Sequence, residues 1–248
     1  MPLLAELVGA AAMLIVSACS AATPDTAVPV AAPPSLAAER FPKPQRPVAS
    51  IISDQWASED SRERAGEAAK VMDLLGIGPG MTVADIGAGA GYYVGRLSHR
   101  VGPSGRVIAQ EVDRSTLDRL GQRVSRERLD NVSLVLGEPH DPRLAPRSVS
   151  LALLVHMYHE IESPYAFMAR LASAMKPGGR VGIVDLDRPT HLHGTPPALL
   201  RCELKAVGYK EIGFKPLTGD IGYVAVFTAP AEPPTPAAVR PCRNPDQR

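Results

Sequence analysis

The segment Val83-Ala84-Asp85-Ile86-Gly87-Ala88-Gly89-Ala90-Gly91 constrains this chain more than any other. A short β-prone run, Met81 to Ile86, leads into three glycines at alternate positions, and a helix-like segment, Tyr92 to Val101, follows them directly. Glycine lets the backbone turn sharply and approach a ligand closely. A strand, a glycine loop and a helix in that order belong to parallel α/β sheets, where ligands seat beyond the carboxyl ends of the strands. The spacing is D-x-G-x-G-x-G. The dinucleotide fingerprint G-x-G-x-x-G wants a small residue where Tyr92 stands. Asp85 at the mouth of the loop suits a cationic ligand group and repels a pyrophosphate.

Strand and helix patterns alternate along the chain around this loop. Arg106 to Gln110, Val132 to Leu136 and Arg180 to Leu186 read as strands, and the nearly unbroken apolar run Val149 to Val155 reads as a buried central one. Ser61 to Leu75, Ser115 to Arg128, Pro164 to Met175 and Pro196 to Val207 have helical patterns. Tyr209 to Lys215 and Tyr223 to Phe227 alternate as a closing antiparallel pair does. The expected fold is α/β: a Rossmann-like doubly wound sheet of about seven strands, mostly parallel, with a C-terminal antiparallel pair.

Proline marks the limits of this pattern. Of 25 prolines, seven fall between Pro24 and Pro47 and six between Pro230 and Arg248. The organisation expected is a signal segment at 1–19, a Pro-rich linker at 20–47, one domain at 48–229 and a Pro-rich tail at 230–248. Leu7 to Ala18 has the length of a signal-peptide apolar region and is too short to span a bilayer. Val16-Ser17-Ala18-Cys19 resembles the bacterial lipoprotein processing box, which implies lipidation at Cys19, a membrane-tethered cell-envelope location and a periplasm-facing domain; the alternative is a cytoplasmic protein. In an oxidising compartment Cys202 and Cys242 can pair, whereas in the cytosol they are free thiols. A net charge of +1 gives no reason to expect nucleic-acid binding.

Glu111 closes the second strand, twenty residues after Gly91, where an acid can accept hydrogen bonds from both hydroxyls of a ribose. Asp113, two residues on, is the less favoured candidate. Asp85 to Gly91 together with Glu111 resembles the first motifs of class I S-adenosylmethionine-dependent methyltransferases. Leu136-Gly137-Glu138 sits where that family has Gly-Asp after its third strand, and Lys176-Pro177-Gly178-Gly179-Arg180 matches its turn before the fifth. The segments 137–144, 154–160 and 187–200 look like a bacterial, often exported-looking branch. Two positions depart from the family pattern: Ser150 stands where Asp is usual, and Glu138 has the longer side chain.

The resemblance implies S-adenosyl-L-methionine as cofactor, with Gly87, Gly89 and Gly91 cradling the methionine end and Asp85 near its ammonium. Glu111 would then hold the ribose, and Glu138 or Asp141 the adenine. In His156-Met157-Tyr158-His159-Glu160, beyond the fourth strand, His156 borders the pocket and His159 is the catalytic candidate, able to take a proton from an unidentified, small-molecule acceptor. No metal is expected, because zincins place H-E-x-x-H on a helix, and this order and context differ. Two other functions remain open: a catalytically silent, membrane-tethered nucleoside-binding protein, and an NAD(P)-dependent oxidoreductase, against which Tyr92 and the glycine spacing argue.

Overall fold

The computed structural model describes residues 40–51, 58–218 and 221–243. Cys19 and the segment leading to it lie outside the described residues. Seven strands form one sheet: β1 (Thr82–Ile86), β2 (Arg106–Glu111), β3 (Val132–Leu136), β4 (Val149–Val155), β5 (Met175–Asp185), β6 (Lys210–Leu217) and β7 (Gly222–Thr228). Their order is β3-β2-β1-β4-β5-β7-β6. β1 to β5 pair in parallel, and β7 runs antiparallel to both β5 and β6. This is the doubly wound, Rossmann-like arrangement expected from the alternation of elements. Its strand order reverses between β1 and β4, so their carboxyl ends frame a crevice.

Successive residues of the central strands point to opposite faces, and both faces are covered. Ala84, Ile86, Ala152, Leu154, Val181 and Ile183 enter one cluster with Phe167 of α5 (Pro164–Ala174) and Leu200 of α6 (Pro197–Ala206). Val83, Leu151, Leu153 and Val184 enter the other with Val71 of α2 (Glu67–Leu74) and Leu97 of α3 (Tyr92–Val101). The continuous helix read over Ser61 to Leu75 is instead two, α1 (Glu59–Arg64) and α2, broken at Gly66, which sits in the left-handed region with φ 62°. The fourth helix, α4 (Arg114–Glu127), begins at Asp113, whose carboxylate accepts the Thr116 N–H at 2.7 Å. The Ser115 hydroxyl, donating at 2.7 Å, and then Thr116 hold the Asp113 carboxyl down at about 2 and commit it to capping.

Residues on both sides of 48–229 contribute buried side chains, among them Phe41, Arg46, Val239 and Cys242. Cys202 and Cys242 form a disulfide. The Cys242 N–H also donates to the Tyr165 hydroxyl at 2.8 Å. The bridge spans 40 residues of sequence, and closing a loop of that size in the unfolded chain is worth roughly 4 kcal/mol. Reduction, or Cys202→Ser, is expected to lower the thermal midpoint by roughly 10 °C in a scan with and without reductant. Coincident midpoints would show that the bridge does not stabilise the fold. Among the described residues no helix is long and apolar enough to cross a membrane.

Candidate functional site

A cavity opens at the carboxyl ends of β1, β2 and β4. Asp85, Gly87, Ala88, Gly89, Gln110 and Glu111 form one wall, and His156, Met157, His159 and Glu160 form the opposite one. Gly87 adopts φ 67°, and a Cβ there would come within 3.1 Å of the Met157 side chain, across the cavity. Gly91 adopts φ 89°, and its Cβ would sit 2.5 Å from Leu120. The loop therefore needs glycine for backbone conformation and for close packing at once.

The Glu111 carboxylate is held by backbone. One oxygen accepts the Gly89 N–H at 3.0 Å, and the other accepts those of Val112 at 2.7 Å and Asp113 at 3.1 Å. An ionised carboxylate offers about four lone-pair sites, so one remains for a ligand hydroxyl. Asp85 is only 3% exposed, and burial pushes its carboxyl up to about 7. The nearby Arg62 opposes that rise, and Glu111 adds to it. A buried acid facing a cavity is matched by a cationic ligand group, and the pair Asp85 and Glu111 disfavours a pyrophosphate.

The two flanking helices contribute groups that the sequence did not single out. Arg62 lines the cavity and lies 4.0 Å over the Tyr92 ring. Its Nη2 donates to Glu67 at 2.6 Å, and the Tyr93 hydroxyl donates to the same oxygen at 3.0 Å. His156 Nε2 is 3.9 Å from the second Glu67 oxygen, and burial lowers its affinity for a proton. Arg123 of α4 pairs with Glu59 of α1 and donates to the Ala90 carbonyl at 3.0 Å, fastening α1 to the glycine loop. No local motif marks Arg62 in the sequence, because the break at Gly66 that aims α1 does not show in the helical period.

Glu138 and Asp141 do not line the cavity; Pro139, between them, does. The backbone of Glu138 and Asp141 closes a tight bridge with N–O distances of 2.7 and 3.0 Å. Their side chains pair outward, Glu138 with Arg143 and with His140 at 3.2 Å, and Asp141 with Arg170 at 3.3 Å. At this end of the cavity the lining residues are Val112 and Pro139.

His159 is 1% exposed, on the 3₁₀ turn Tyr158–Glu160 after β4. Its Nδ1 lies 3.1 Å from both oxygens of Asp185, at the end of β5. The Thr195 hydroxyl donates to Asp185 at 2.7 Å, and the Leu186 N–H donates to it at 2.8 Å. The carboxylate thus fixes the Nδ1–H tautomer and leaves the Nε2 lone pair as the reactive one.

A crevice at the switch point of a seven-stranded sheet, lined by a glycine loop and two acids, is the place where doubly wound domains seat their ligands. Residues 83–179 match the family model of a methyltransferase domain. The chain is 28% identical over 164 residues to an arsenite methyltransferase of Halobacterium salinarum, covering 63% of this chain and 41% of that protein. It is 27% identical over 128 residues to a nocamycin O-methyltransferase of Saccharothrix syringae, covering 50% and 45%. The chain thus spans less than half the length of these curated relatives. Its fold is shared with a SAM-dependent methyltransferase of Aquifex aeolicus (TM-score 0.61, 24% identity, 67% of this chain and 90% of that one). It is also shared with a possible exported protein of Bordetella parapertussis (TM-score 0.53, 16% identity, 69% and 68%). Residues 83–179 thus carry a methyltransferase domain, within a fold shared with S-adenosylmethionine-dependent methyltransferases.

Proposed function

We propose that the protein transfers a methyl group from S-adenosyl-L-methionine to a small-molecule acceptor. The observation that carries this is the cavity in which buried Asp85, the Gly87–Gly89 backbone and the backbone-held Glu111 converge. These residues fit the group: a carboxylate for its ammonium, bare backbone for close approach, and an acid for its ribose. Bound there, the cofactor supplies an activated methyl on a sulfonium, so the protein's part is mainly alignment. On the acceptor side, His159 lines the cavity with Nδ1 held by Asp185, and its Nε2 takes the acceptor's proton.

Calorimetry on the full chain tests the binding step, with S-adenosylhomocysteine expected to bind and NADH not. His159→Gln is expected to keep that binding while lowering transfer of labelled methyl into a small-molecule extract by roughly a hundredfold or more. NADH binding in its place would favour the oxidoreductase. Cofactor binding with no transfer to any extract would favour the silent nucleoside-binding protein.

Export with lipidation at Cys19, and membership of an exported bacterial branch, are part of the same proposal. They are supported by Val16-Ser17-Ala18-Cys19 and by the segments 137–144, 154–160 and 187–200.

A further inference from the structure

His159 has neighbours that a proton-transfer role does not use. His193 lies 34 residues further on, yet its ring centre is 5.5 Å from that of His159, edge to face. Glu160 Oε1 is 4.0 Å from His159 Nε2. One ligand atom from each of His159, Glu160 and His193 lies within 4.8 Å of the other two. We infer that these three residues form a binding site for a zinc-class divalent ion beside the cofactor cavity.

Five observations converge on that assignment. Two imidazoles on one tetrahedral ion with Zn–N of about 2.0–2.1 Å have their ring centres roughly 5 Å apart, close to the spacing seen here. Two histidines and one glutamate form the donor set of catalytic zinc sites, which keep a fourth position open. The Asp185 contact to Nδ1 is the carboxylate–histidine arrangement that orients a metal-binding imidazole and makes it a better donor. Asp185 is itself pinned by Thr195 and Leu186. The loop bringing His193 in is also fastened: Arg188 donates twice to the His193 carbonyl at 3.2 Å, and the Thr190 hydroxyl donates to the Pro47 carbonyl at 2.8 Å. His159 and Glu160 line the cavity, which turns the open position toward the space where an acceptor would sit. His156 is not one of the three; it faces Glu67. The H-x-x-H-E string thus contributes its second histidine and its glutamate, and the third donor comes from the loop after β5.

An acceptor hydroxyl or thiol in the open position would lose its proton to solvent under the charge of the ion, because a coordinated oxygen or sulfur is a far stronger acid than a free one. In this respect the inference rests on the methyl-transfer proposal: with the ion bound, ligation would take the place of proton uptake by Nε2, which acts as base in the metal-free chain. The binding site itself stands without it.

The test is direct metal analysis of the full chain after zinc loading and exhaustive dialysis, with cobalt substitution read by visible absorption. One zinc per chain and the intense absorption of tetrahedral cobalt are expected, both lost in His193→Ala and Glu160→Gln. His193 does not line the cofactor cavity, so S-adenosylhomocysteine binding should survive in His193→Ala and report that it folds, while a thermal scan reports folding of Glu160→Gln. Zinc removed by dialysis, or zinc retained in full by His193→Ala, would overturn the site. Failure of the wild-type chain to bind S-adenosylhomocysteine would overturn the methyl-transfer proposal and leave the metal result intact.

Discussion

Asp85→Asn is expected to stabilise the protein while weakening cofactor binding roughly 10- to 100-fold. Burial holds the Asp85 carboxyl at about 7 in the folded chain, against an ordinary 3.8. The unfolded chain therefore gives up this proton first. Between about pH 4 and pH 7 the folded state binds more protons, and stability falls as pH rises through that window. Above it the cost of keeping a carboxylate buried reaches up to roughly 4 kcal/mol. Asparagine carries no such cost, so the variant should gain stability at pH 8, gain little at pH 4, and show a flatter pH profile. The same substitution removes the charge facing the ligand's ammonium. A hydrogen bond to a charged group is worth about 1.5–3 kcal/mol, so affinity for S-adenosylhomocysteine should fall roughly 10- to 100-fold. Wild-type affinity should itself weaken as pH drops through about 7, since protonation neutralises Asp85. Thermal scans and calorimetry at a few pH values measure both effects. An Asp85→Asn variant that binds as tightly as wild type would mean that this acid does not touch the ligand.

That trade-off explains why the glycine loop was so legible in the sequence. Asp85, Gly87, Gly89 and Gly91 are local: strand, turn and helix follow within ten residues, and their roles come from backbone geometry that glycine alone permits. Glu111 was legible for a similar reason, because the end of an apolar strand next to the switch point has few places to go. The mostly parallel, doubly covered sheet followed from apolar runs such as Val149 to Val155, whose pattern requires cover on both faces. The losses were of another kind. Glu138 and Asp141 occupied the right place in sequence, but a tight bridge and the arginines at 143 and 170 turned their side chains outward. Gly66 interrupted a helix whose apolar period runs through it undisturbed, so periodicity did not show the break. Asp185 and His193 follow the strand beside β4, which puts them near His159, but the ring contact of His193 and the Asp185 contact to Nδ1 depend on how the loop after β5 returns.

Arg46 is the largest case of such long-range dependence, and Arg46→Met is expected to cost about 3–5 kcal/mol, the range for breaking a buried ion pair. Its side chain and that of Glu203 are both fully buried, 3.0 Å apart, 157 residues apart in sequence. The guanidinium also donates to the carbonyls of His159 at 3.2 Å and Tyr158 at 3.3 Å, and the Tyr158 hydroxyl donates to Glu203 at 2.9 Å. Removing the cation leaves Glu203 charged in an apolar surround, where desolvation is no longer offset. With typical domain stabilities of about 5–15 kcal/mol, the variant should unfold at a much lower denaturant midpoint. The double variant Arg46→Met, Glu203→Leu separates two causes. If the cost is the orphaned carboxylate, the pair of apolar side chains should recover most of the stability, as buried ion pairs replaced by apolar side chains often do. If the cost is the lost grip on the Tyr158 and His159 carbonyls, the double variant should stay as unstable as the single one. Ala49, whose N–H also donates to the His159 carbonyl at 3.2 Å, lies on the same strap. The turn carrying His159 is therefore held from behind by a segment that its proline content marks as a linker, and a chain begun at Val48 should show the full Arg46→Met loss.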